Sequence, residues 1–130
     1  MRAVALAQGL YYLVTGLWAV VSVQSFQKVT GPKTDIWLVK TVGVLVAVIG
    51  GVLALWSRRP AGLPVPLLGV GSALGLATID TTYSLRGRIR PIYLLDALLE
   101  IAIVAWWARA AAGALRWPVL QSGSDDGSRR

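Results

Sequence analysis

Four long apolar runs, at about residues 4–23, 36–56, 63–85 and 92–112, are separated by short polar segments. Each run is long enough to cross a hydrocarbon layer of about 30 Å at about 1.5 Å per residue. A bilayer offers backbone groups no water, so spans of this length predict helices rather than barrel strands. The first run carries Gln8, Tyr11, Tyr12 and Thr15 and no small-x-small cleavage pattern, so it reads as a helix and not a leader. The links are short: 24–35 holds a Gly31-Pro32 breaker, 57–62 reads SRRPAG, and 86–91 reads RGRIRP with Pro91 suited to a helix start. Thr34 and Asp35 are suited to cap the second helix. Short links make sequential helices antiparallel. The expected fold is therefore all-α: an integral membrane four-helix up-down-up-down bundle over residues 1–116. An interfacial Trp117 and a disordered polar tail follow over 117–130.

Composition supports that class. The apolar and aromatic set makes up 55% of the 130 residues, and mean hydropathy is +0.62. The net charge of +7 comes mostly from cations flanking the apolar runs, which points to a lipid bilayer and not to nucleic acid. Seven arginines (2, 58, 59, 109, 116, 129 and 130) fall on the side of the termini, against Lys28, Lys33, Arg86, Arg88 and Arg90 on the other, which favours cytoplasmic termini. There is no cysteine and no histidine, which excludes disulfides, thiolate or imidazole metal sites, and Ser-His or Cys-His catalysis. No phosphate-binding loop, nucleophile elbow or metal-ligand spacing is present. No metal, no cofactor and no enzymatic activity are expected.

The polar residues inside the apolar runs carry the candidate chemistry. Counted from the side of the first and third links, Lys40, Asp80 and Asp96 lie about five residues deep, and Glu100 one turn further, which places all four roughly 6–13 Å into the bundle. A charge facing hydrocarbon costs at least about 2.5–3.5 kcal/mol, so these groups are expected to turn inward and meet. Tyr93, Asp96, Glu100 and Trp107 share one face of the last helix; Asp80 and Tyr83 share a face of the third; Gln8, Tyr12, Thr15 and Ser22 stripe the first. Lys40, Gly43, Ala47, Gly50 and Ala54 form a stripe of mostly small residues on the second helix, and Gly71 and Gly75 give the third a GxxxG, both suited to close helix approach. Lys40 against three carboxylates leaves an excess of negative charge. Unless Arg86, Arg88 and Arg90 reach back into it, one carboxyl is protonated or a cation binds.

Two readings follow. In the first, the acidic pocket binds or transports a cation, a proton or an amphipathic ligand, with Glu100, Asp96 and Asp80 as its charged groups, Lys40 as counter-charge, and Tyr83, Tyr93 and Tyr12 as walls. In the second, the chain is a non-catalytic accessory subunit of a larger membrane complex or a homo-oligomer, using Trp106, Trp107, the Gly71/Gly75 face and the basic links, while the buried charges only fix helix register.

The words VTGPKTD (29–35) and WLVKTVG (37–43), with the D…Y and LLD…E of the second half, resemble a family of small bacterial four-helix membrane proteins over residues 5–107. That resemblance implies the fold and a bacterial cytoplasmic (inner) membrane location, and brings no established activity. Size and helix count also resemble the small multidrug resistance transporters, but where that family carries an essential Glu in its first helix this chain has Gln8.

Overall fold

The computed structural model describes residues 1–59 and 62–122, with side chains described to residue 114. Five helices make it up: α1 (Arg2–Val21), α2 (Val23–Thr30), α3 (Ile36–Trp56), α4 (Pro64–Leu85) and α5 (Ile92–Ser122); the described residues contain no strand. Four of them match the expected runs, and α5 continues past the expected end at 112 through residues 117–122 of the stretch expected to hold an interfacial Trp and a disordered tail. The rest of that tail lies outside the described residues.

The segment read as a plain link between the first two spans contains α2. Ser22 interrupts α1, and VQSFQKVT then forms its own short amphipathic helix, anchored where the Trp18 Nε1–H donates to Ser25 Oγ at 2.7 Å and the Phe26 ring meets the Trp18 ring edge-on at 5.4 Å. Gly31, at φ 96, ends it in a conformation that side chains with a Cβ rarely adopt. Asp35 does occupy the N-cap of α3, but its side chain makes no capping bond; its backbone carbonyl accepts from the N–H groups of Leu38 and Val39 instead.

α1 and α3 run antiparallel in backbone contact. A Cβ placed on Gly16 would lie 2.5 Å from the Gly43 carbonyl oxygen and 2.6 Å from the Ala47 nitrogen; one on Gly9 would lie 2.6 Å from the Ala54 nitrogen. Only glycine permits that approach, so Gly9 and Gly16 are the partners of the small stripe on α3. α4 and α5 form a second antiparallel pair, and α1 closes against α5 along Gln8–Trp107 and Tyr12–Glu100. The half near the termini is solid, packed around Val4, Ala5, Leu53, Val65, Ala73, Ile103 and Trp107.

Large apolar side chains cover the outside: Leu6, Leu10, Val14 and Leu17 on α1, Leu45, Val48 and Leu55 on α3, Leu67 and Leu74 on α4, Leu98 and Ile101 on α5. The interior, beside its apolar core, holds the polar Gln8, Tyr12, Asp80 and Glu100. A chain in water hides its apolar surface, so apolar side chains outside and charged ones inside suit a hydrocarbon surrounding. Among the described residues, α1, α3 and α4 are long and apolar enough to cross a membrane. The fourth expected span lies in α5, which carries Asp96, Glu100 and Arg109 and is not one of these three.

Candidate functional site

The half of the molecule away from the termini is hollow. A cavity of about 680 Å³ lies between α1, α3, α4 and α5 and is covered at its end by α2. Leu, Val and Ile with Trp18 and Phe26 form the apolar part of its walls, and it is also lined by Asp80 from α4, Asp96 and Glu100 from α5, and Tyr11, Tyr12 and Thr15 from α1. The cavity exists because each tight pair excludes it: α3 is drawn onto α1 by their glycines and α4 onto α5, while α3 and α4 touch little.

Glu100 is fully buried, at 0 % exposure, and Asp80 is at 6 %. The Tyr12 hydroxyl donates to Glu100 Oε2 at 2.8 Å, and the Tyr11 hydroxyl donates to Asp96 Oδ1. The carboxyls of Asp80 and Asp96 line the same cavity. Glu100 Oε1 and Asp80 Oδ2, both buried, have no hydrogen-bond partner among the described residues. Such orphaned atoms forfeit the water bonds they would make outside, at about 1–3 kcal/mol each and more where charged. One turn from Tyr12 on α1, Gln8 ties α1 to α4 and α5: its Nε2 donates to the Gly69 carbonyl at 2.8 Å, and its Oε1 accepts from Trp107 Nε1 at 2.8 Å.

The expected site residues divide into two sets. Asp80, Asp96, Glu100, Tyr12 and Tyr93 all line the cavity. Lys40 does not: it is exposed on another face of α3, beside Thr41, Val44 and Leu45. It sits at the margin of the small stripe, and that stripe is pressed against α1 too tightly to admit a side chain, so the lysine turns outward. The lysine that lines the cavity is Lys33, from the link after α2; it stands within electrostatic range of Asp80, with its ammonium 4.9 Å from the centre of the Tyr93 ring. Tyr83 is exposed and is not part of the wall. Arg86, Arg88 and Arg90 are exposed at the end of the molecule, where the Arg90 side chain packs over Gly31.

Of the residues expected to meet a partner, Trp107 is at 2 % exposure and bonded to Gln8, so it is an interior residue and not a docking surface. Trp106, Gly71 and Gly75 do face outward, and open space surrounds both glycines. Two site residues were missed, Tyr11 and Lys33. Tyr11 follows Gln8 by three positions and so shares its arc with Tyr12 and Thr15, a signal present in the sequence; the position of Lys33 depends on α2, which was not foreseen.

Comparisons with protein-family models, with curated proteins and with solved structures find no match.

Proposed function

We propose that the chain is an integral membrane protein of four spanning helices, α1, α3, α4 and α5, arranged up-down-up-down, whose embedded acidic pocket binds a cationic ligand. The observation that carries this reading is the pair of buried, unpartnered carboxylate oxygens, Glu100 Oε1 and Asp80 Oδ2, on the wall of a large cavity. Three carboxyl groups line that cavity against one lysine, and a bound cation would supply both the missing charge and the missing hydrogen-bond donors. The reading holds for a binding protein and for a transporter, which share this step, and assigns no catalytic step. A bacterial inner membrane with cytoplasmic termini is the placement favoured by the cation distribution and by the family resemblance.

A second reading, an accessory subunit, draws support from the exposed Gly71, Gly75 and Trp106, which leave a small-residue face on α4 without a partner among the described residues. Purification at native expression level in a mild detergent, followed by mass spectrometry of all co-purifying species, separates the two. The pocket reading expects a retained cationic small molecule or lipid that is lost from Glu100→Gln, with no stoichiometric protein partner. Stoichiometric protein partners, with nothing small retained, would establish the subunit reading instead.

A further inference from the structure

The proposed cation site leaves open what kind of cation it takes, and the shape of the cavity bears on that. At about 680 Å³ the space is of the size that holds organic ligands and is far larger than any inorganic ion. Hard cations need about six or more oxygen ligands to replace their water. Here oxygen is concentrated at Asp80, Asp96, Glu100 and the tyrosine hydroxyls, while the α3 wall is Leu38, Val39, Val42 and Val46. Among the described residues no three acidic groups are arranged to hold a metal ion together.

The way in is also apolar. Leu38 and Val42 of α3, Ile79 of α4 and Ile92, Leu95 and Leu99 of α5 line the cavity and are at the same time exposed on the outside of the molecule. The cavity therefore opens through its apolar side, and in a membrane that side faces lipid tails. One further feature shows what the chamber accommodates: the primary ammonium of Lys33 already stands over the ring of Tyr93 in its wall. A ligand ammonium would meet the same aromatic and carboxylate surroundings.

Resting on the pocket reading above, we infer that the ligand is an amphipathic organic ammonium ion that enters from the bilayer through this apolar side. It seats its charge against Glu100 and Asp80 and its apolar body against the α3 wall. The three probes that separate its parts are phenylbutylammonium, which has charge and body, phenylbutanol, which has the body alone, and ammonium ion, which has the charge alone. Binding is measured by equilibrium dialysis against the full chain in phosphatidylcholine nanodiscs, with empty nanodiscs as the blank. Phenylbutylammonium is expected to bind saturably, and phenylbutanol and ammonium each at least about tenfold more weakly. Glu100→Gln should weaken phenylbutylammonium at least about tenfold, because the desolvated charge pair is lost. Val42→Trp fills the apolar opening without touching a carboxylate; it should weaken phenylbutylammonium similarly and leave ammonium binding unchanged. Size-exclusion profile and helical circular dichroism verify the fold of each variant. If ammonium binds as tightly as phenylbutylammonium, with loss in Glu100→Gln and none in Val42→Trp, the pocket takes a small cation and the amphipath inference is overturned alone. If no probe binds the folded protein saturably, the pocket reading falls with it.

Discussion

Glu100 and Trp107, two turns apart on α5, show how one helix face serves two ends. Glu100 keeps an oxygen unpartnered at the cavity wall, whereas Trp107 has its only donor satisfied by Gln8. Trp107→Phe preserves most of the packing but leaves Gln8 Oε1 without its donor, so a loss of about 1–3 kcal/mol is expected. Thermal unfolding in detergent checks this; an unchanged midpoint would remove Trp107 from the interior network. At this scale much of the site was legible, because burial cost forces ionisable groups inward and helical spacing says which of them share a face. That reasoning brought Asp80, Asp96, Glu100 and Tyr12 together. It misplaced Lys40, because a residue at the edge of a small stripe turns in or out according to how closely the neighbouring backbone approaches, and that distance is a property of the pair of helices.

Among the helices, α1 and α3 are the pair most dependent on particular residues. Gly16→Ala would drive a Cβ to within 2.5 Å of the Gly43 carbonyl oxygen, a backbone atom that cannot swing aside. Forcing the helices apart is expected to cost about 1–3 kcal/mol. Gly75→Ala is the matched control: open space surrounds Gly75, and replacing a mid-helix glycine there should be neutral or gain up to about 1 kcal/mol. Equal losses at both positions, measured as unfolding midpoints in the same detergent, would contradict the close α1–α3 approach. The small stripe on α3 could be read from its spacing, while its Gly9 and Gly16 counterparts on α1 lie within a helix dominated by larger residues. The hydrophobic runs located the long helices because lipid-length apolar stretches have few alternatives. α2 escaped notice because an eight-residue amphipathic helix held by Trp18, Ser25 and Phe26 depends on contacts made only after folding.

At the level of the whole molecule, large apolar side chains cover the outside, Asp80, Asp96 and Glu100 line a cavity inside, and that cavity opens through its apolar side. A reagent dissolved in lipid should therefore reach the buried acids more readily than one dissolved in water. The chain is well suited to this comparison, since Glu100 is its only glutamate and Asp35 offers an exposed carboxylate as reference. The most direct measurement is carbodiimide labelling of the protein in intact membranes, with adducts mapped by mass spectrometry for a hydrophobic and a water-soluble reagent side by side. The predicted result is hydrophobic-reagent adducts at Glu100, Asp80 or Asp96, suppressed by saturating phenylbutylammonium, with the water-soluble reagent confined to Asp35 and the tail. Hydrophobic-reagent adducts confined to Asp35 and the tail, with the three cavity acids modified only after unfolding, would contradict a membrane-embedded acidic pocket open to lipid.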